Sequence, residues 1–114
     1  MMLVRDVFQA KYGRGDELVA LLQEAYSAWA SQGVSRWTPR ILTDASGQFF
    51  TVVTETEVAS LAEWEQWFQK AMSTPGFDKW FERMVPLVET GRREFYNIVG
   101  ATAKTRASNS RSRR

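Results

Sequence analysis

The chain has 114 residues, the usual size of one domain, and its content of 44% hydrophobic and 13% aromatic residues excludes an intrinsically disordered protein. It contains no cysteine and no histidine, which excludes disulfides, thiolate nucleophiles, imidazole bases and the commonest ligands of zinc and haem. The net charge is +2, but the residues after Gly100 hold five of the 15 cations and no acid, so the rest of the chain has a net charge of −3.

The first two predicted elements are a strand and a long helix. Residues 2–10 alternate as a strand does, with apolar residues on both faces, and Gly13 and Gly15 end it. A helical stripe follows, and Asp16 is placed to cap its first free amides. Gly33 closes this helix. The apolar residues of the stripe are Leu18, Leu21, Leu22, Ala25, Tyr26 and Trp29.

A hairpin is predicted next. Residues 36–44 indicate a second strand, and Pro39 within it favours a sheet edge or a bulge, because proline cannot donate to a ladder. Residues 44–47 form the turn. Residues 49–56 predict the third strand, since they are mostly β-branched or aromatic, and both of its faces are apolar.

Two helices and a last strand complete the predicted domain. Ser60 and Glu63 have the spacing of a capping box, and Thr74 and Pro75 are typical of the start of another helix, which Pro86 stops or kinks. After a break at Gly91, residues 92–99 alternate as a strand. The order is βαββααβ, which predicts an α+β fold with a four-stranded antiparallel sheet.

Residues 1–100 are expected to form the domain and residues 101–114 a basic, disordered tail. The tail predicts only a salt-sensitive attraction to RNA or anionic lipid, and no specific nucleic-acid partner. No apolar run is long enough to span a bilayer and no signal segment is found, so a cytoplasmic protein is expected. The cations of the tail are Lys104, Arg106, Arg111, Arg113 and Arg114.

The third strand predicts a partner for the sheet. A sheet with helices on one side normally has a polar second face, whereas neither face of this strand is polar. A homodimer that packs sheet on sheet would cover the second face. The alternative is a monomer in which the segments after the strands shield that face.

Motifs along residues 3–99 resemble those of the dimeric α/β barrel superfamily of ferredoxin-like domains, and within it the NIPSNAP-type proteins. The motifs are Lys11-Tyr12-Gly13, Glu63-Trp64-Glu65-Gln66-Trp67-Phe68, Thr74-Pro75-Gly76-Phe77 with Trp80-Phe81, and Glu94-Phe95-Tyr96-Asn97-Ile98. The resemblance implies a ferredoxin-like α/β barrel that is dimeric. The superfamily includes cofactor-independent oxygenases, haem-degrading enzymes, lactone isomerases and members without known activity, so the resemblance does not select a function.

Polar residues on apolar strands are the candidate ligand-binding residues, namely Arg5, Arg40 and Tyr96. Arginine could hold an anionic or carbonyl group, and the phenol could act as a donor or weak acid. The competing interpretation pairs the arginines with Asp6, Glu55 or Glu94 across the sheet, and leaves Tyr96 as a packing residue. Trp37 could wall an aromatic pocket, or pack in the core or an interface.

Catalytic residues cannot be assigned from the sequence, and Tyr96 and Asn97 are the only candidates. Glu63 belongs to the capping box, Glu65 to an exposed helix face, and Glu55 and Glu57 to the end of a strand, so no metal site is expected. No cofactor is expected either.

The leading hypothesis is a dimer that binds a small apolar or aromatic molecule between sheet and helices or between two sheets. One alternative is a cofactor-independent monooxygenase or isomerase that acts on a hydroxyaromatic or polyketide-like substrate and uses Tyr96, Asn97 and Trp37. Another is a structural module without a ligand.

Overall fold

The computed structural model describes residues 1–33, 37 and 39–100, and all its elements occur in the predicted order. A short 3-10 turn, Val85–Leu87, joins the last helix to the last strand. The elements are β1 Met2–Ala10, α1 Gly15–Ser31, β2 Arg40–Thr43, β3 Thr51–Val58, α2 Leu61–Met72, α3 Phe77–Met84 and β4 Val88–Asn97. The predicted tail, residues 101–114, lies outside the described residues, so the domain boundary stays a prediction.

The four strands form one antiparallel sheet in the order β2-β3-β1-β4. Because β1 lies between β3 and β4, each connection through a helix skips one strand, which is the ferredoxin-like arrangement. The predicted α+β fold is therefore confirmed. β2 is an edge strand, as predicted, but Pro39 directly precedes it and does not lie within it.

Several predicted boundaries are wrong. The third strand begins at Thr51, not at residue 49, because Phe50 has a left-handed backbone with φ 62° that a strand cannot include. The last strand begins at Val88 and runs through Gly91. Residues 34–36 and 38, in and before the predicted second strand, lie outside the described residues.

The helix starts follow their predicted caps only in part. In α2 the Ser60 Oγ accepts the Glu63 N–H at 3.1 Å, as predicted. A Glu63 carboxylate oxygen accepts the Ala59 N–H at 2.8 Å, so the reciprocal bond of the capping box reaches the residue before the N-cap. Asp16, by contrast, lies inside the first turn of α1. Thr74 and Pro75 precede α3, whose N-cap is Gly76 with φ 92°, a conformation that favours glycine.

All three hydrophobic clusters lie on the helix side of the sheet, where the even-numbered residues of β1 and β3 point. One cluster packs the predicted stripe of α1 on β1 and β3, another joins α2 to the opposite end of the sheet, and the third lies between helices. Their buried residues are Ala10, Leu18, Leu21, Leu22, Val52 and Leu87; Val4, Val58 and Trp64; and Ala25, Trp29 and Ala71.

The opposite side of the sheet, here called the open face, contributes no buried residue to these clusters. Its side chains alternate with those of the core along every strand. They are Leu3, Arg5, Val7 and Gln9 of β1; Arg40 and Leu42 of β2; Thr51, Val53, Glu55 and Glu57 of β3; and Thr90, Arg92, Glu94 and Tyr96 of β4.

Candidate functional site on the open face

A row of alternating charges crosses the whole open face. Arg40 pairs in register with Glu55, Glu55 with Arg5, and Arg5 with Glu94, so the row takes one residue from each strand. Side chains directly opposite each other on one face of a sheet are close enough to interact. The register therefore places every charge of this row beside one of opposite sign.

Glu55 is the centre of the row. Its Oε2 accepts the Nε–H of Arg5 at 2.9 Å and lies 2.7 Å from the Nη2 of the same side chain, while its Oε1 accepts a hydrogen bond from Arg40. Only 8% of the Glu55 side chain is exposed, because the two guanidinium groups cover it. Burial by itself would raise the pKa of Glu55, but the hydrogen bonds from Arg40 and Arg5 lower it below its usual value.

A second polar group adjoins the row at β4. The Tyr96 hydroxyl donates to a Glu94 carboxylate oxygen at 2.9 Å, and the Arg92 Nε–H donates to the other oxygen at 2.7 Å. The hydrogen bond to Glu94 raises the pKa of Tyr96, and bonds from Arg92 and Tyr96 lower the pKa of Glu94. The phenol is thus held protonated, with its only proton engaged.

Beside the charged row runs an apolar row of Leu42, Val53 and Val7, again in register across three strands. A cavity of about 430 Å³ opens on the same face where β1 and β4 meet. Its walls are Val7, Gln9, Gln48, Thr51, Thr90, Gly91 and Arg92. The open face therefore combines paired charges, an uncovered apolar strip and a concave surface.

Three of the four predicted ligand-binding residues lie together on this face. Arg5 and Arg40 share Glu55, and the Arg5 guanidinium carbon is 5.7 Å from the centre of the Tyr96 ring. The cross-strand pairing considered as the competing interpretation is thus present for both arginines. Whether they also bind a ligand stays a prediction.

Trp37 and Asn97 lie elsewhere. Trp37 packs beside the cluster of Val4, Val58 and Trp64 on the helix side of the sheet. Asn97 follows Tyr96 in β4, so its side chain points to the opposite face. The structure therefore does not bring Tyr96, Asn97 and Trp37 together, and the catalytic assignment stays a prediction without geometric support.

The sequence did not indicate a polar group on the helix side. Arg93 pairs with both carboxylate oxygens of Asp6, at 2.7 and 3.0 Å, and its guanidinium carbon lies 4.8 Å from the ring centres of Trp64 and Phe68. Burial raises the pKa of nearby Tyr26 to about 12. The register of Asp6 opposite Arg93 could have revealed the pair, but only once β4 was known to begin at Val88.

Within the part of the chain that the structure describes, no three acidic side chains come together as metal ligands would. In the same residues, no helix combines the length and apolar character needed to cross a membrane.

No family model matches the sequence, and no curated protein matches it. Solved structures do match: a NIPSNAP domain protein from Burkholderia xenovorans has a TM-score of 0.73 at 18% identity, with 90% of this chain and 97% of that chain covered. A NIPSNAP family protein from Agrobacterium tumefaciens gives 0.72 at 16% identity, over 87% and 94%.

The same fold occurs in a proposed antibiotic biosynthesis monooxygenase from Deinococcus radiodurans, with a TM-score of 0.63 at 16% identity over 89% of this chain and 95% of that one. Identities this low establish shape and not activity. The predicted resemblance is confirmed at that level: the chain has the ferredoxin-like α+β fold of NIPSNAP domain proteins.

Proposed function

We propose that the chain forms a homodimer by packing two open faces together, and that the interface binds a small apolar or aromatic molecule. The observation that carries the proposal is the apolar row of Leu42, Val53 and Val7 on a sheet face that no described helix covers. A two-fold axis would place the same strip on itself, so a second copy is a complementary partner.

Most charges of the open face, Glu57 excepted, are already paired and do not oppose this packing. Removing an unpaired charge from water is costly, whereas a pair that already satisfies its hydrogen bonds loses less. Glu55 is paired with Arg5 and Arg40, and Glu94 with Arg92. The face can therefore become buried without leaving one of these charges unmatched.

The cavity beside β4 supports the ligand part of the proposal. Its volume of about 430 Å³ falls in the range of small-molecule sites, and a second copy would close its open side. Val7 offers an apolar wall and Gln9 and Thr90 offer polar atoms. Arg5 does not line the cavity but lies two residues before Val7 on the same face of β1. It uses its Nε and Nη2 for Glu55, which leaves guanidinium N–H groups that could donate to a carbonyl or anionic group of a ligand that extends from the cavity.

The first test is native mass spectrometry of freshly purified protein, compared with the denatured mass. We expect a dimer with additional non-covalent mass. Leu42→Asp should give a monomer, because it places an unpaired charge in the interface. Leu61→Asp is the matched control, since Leu61 is similarly exposed but lies on α2, and it should remain dimeric.

The ligand is tested separately with Arg5→Ala, which should lose the additional mass, and with Arg83→Ala, whose ion pair with Glu24 joins two helices and which should keep it. A bare wild-type dimer would contradict the ligand and favour a structural module. A wild-type monomer at micromolar concentration would contradict both parts of the proposal.

A further inference from the structure

Three aromatic rings meet at the end of the sheet where β1 stops, and two of them are largely exposed. Tyr12 is 79% and Phe49 64% exposed. The Tyr12 ring centre is 4.8 Å from that of Phe50 and 6.5 Å from that of Phe49, with the rings edge to face. Large exposed aromatic patches are unusual on a soluble domain unless something binds to them.

The backbone under this aromatic cluster of Tyr12, Phe49 and Phe50 is held in an unfavourable conformation. Phe50, with φ 62°, has the only positive φ among the described non-glycine residues. The Phe50 carbonyl accepts the Ala10 N–H at 3.0 Å, and the Phe49 carbonyl accepts Gln9 Nε2–H at 2.7 Å. A bulky residue persists in this region only where its surroundings enforce it, which is common at ligand-binding surfaces.

The cluster borders a cavity of about 410 Å³ beside the start of α1. The charged residues of its lining are Asp16 and Asp44, both acidic. Asp44 uses Oδ1 to accept the Thr51 N–H at 3.1 Å, and Asp16 has no ion-pair or hydrogen-bond partner among the described residues. The cavity thus joins exposed ring faces to two carboxylates, and its lining contains no cationic side chain.

We infer that this cavity binds a small aromatic cation, with its ring against Tyr12 and Phe49 and its ammonium group near Asp16. The negative faces of aromatic rings and the carboxylates both attract a cation, and the ring contacts supply apolar area. An anion of the same shape is repelled by both carboxylates, and only the free amides at the start of α1 attract it. This inference does not require the proposed dimer interface, because its aromatic residues lie in loops outside the open face and its cavity shares only Thr51 with that face.

The experiment is an NMR titration of the full-length, ¹⁵N-labelled protein with 2-phenylethylamine, and in parallel with 3-phenylpropionate and 2-phenylethanol. We expect saturable shifts at residues 12–16 and 43–51 with the amine. The carboxylate should bind at least about tenfold more weakly than the amine, a difference of about 1.4 kcal/mol. The alcohol should be intermediate, since it keeps the ring contact and loses only the charge.

Two pairs of variants locate the site. Phe49→Ala should weaken amine binding about tenfold, while Phe81→Ala, an exposed phenylalanine on α3, should not change it. Asp16→Asn should reduce the preference for the amine over the alcohol. Asp78→Asn, an acid in the first turn of α3, should leave that preference unchanged.

Absence of saturable shifts at about 10 mM amine would overturn the inference, as would equal affinity for the amine and the carboxylate. So would a Phe49→Ala variant that binds the amine normally but changes its oligomeric state, because the aromatic cluster would then be a protein interface.

Discussion

At the scale of single residues, Glu55 should make stability depend on pH. Its pKa is lowered in the folded protein, so its stabilising contribution is complete above the pKa of the unfolded chain and is lost as the pH falls through the folded value. We expect Glu55→Gln to lower the free energy of unfolding by about 1–2 kcal/mol at pH 7, since it removes charge-assisted hydrogen bonds to two arginines. The difference should shrink as the pH falls through the folded pKa of Glu55.

Urea denaturation between pH 3 and pH 7 measures this effect. The control is Glu24→Gln: the pKa of Glu24 is also lowered, by its bond with Arg83, but both partners are more than half exposed. Solvent screens such a pair, so its loss should change stability much less. Equal effects of the two substitutions would contradict the central role of Glu55 in the row.

At the scale of elements, β4 depends on a glycine that packs against β1. A Cβ at Gly91 would lie 3.2 Å from Cδ1 of Phe8, which is closer than ordinary van der Waals contact. Replacing glycine in a strand by alanine usually stabilises, but here the added methyl group should displace the Phe8 ring. We expect Gly91→Ala to destabilise the protein by about 1 kcal/mol in thermal or urea unfolding.

Gly100→Ala serves as the control, because a Cβ there meets no described atom within 4 Å. Combining Gly91→Ala with Phe8→Leu should show a coupling, since the smaller side chain relieves the contact. Strictly additive effects of the two substitutions would disprove the steric explanation.

The same elements show what the sequence can and cannot predict. Periodicity sufficed for the strands, the helices and their order, because the apolar stripe of α1 and the alternation in β1 are local patterns. Gly91 was wrongly predicted to precede the last strand. It lies within β4, and the reason for a glycine there is the close contact with Phe8, which the sequence does not reveal. Phe49 and Phe50 have strong strand propensity, but contacts with Gln9 and Ala10 override it.

The candidate site, like the fold, could be predicted only in part. The sequence sufficed to place Arg5 and Arg40 on strands as candidate ligand-binding residues, and Glu55 was among their possible partners. Glu55 lies in the middle of β3 and binds both arginines because of the register of three strands. A local sequence pattern does not determine that register. Tyr12 was noted only as part of a motif, because its exposure results from the way the β2–β3 turn approaches the end of β1.

At the scale of the whole molecule, the charge balance separates residues 1–100 from residues 101–114. Removing the last 14 residues takes away five cations and no acid, so the net charge falls from +2 to −3. We expect the shortened chain to bind an anion exchanger near neutral pH, whereas the full chain, with a pI of about 9.2, should bind a cation exchanger. The thermal midpoint of the shortened chain should be nearly the same as that of the full chain, because residues 101–114 have no large apolar side chain to bury.

A drop of about 4–8 °C on truncation would correspond to roughly 1 kcal/mol in a domain of this size and would mean that the segment packs on the domain. Charge and packing can be distinguished with a full-length variant whose five cations after Gly100 are replaced by glutamine. If that variant is as destabilised as the truncation, the segment acts by electrostatic attraction to the acidic domain. If only the truncation is destabilised, apolar or backbone contacts hold it, and the domain extends beyond residue 100.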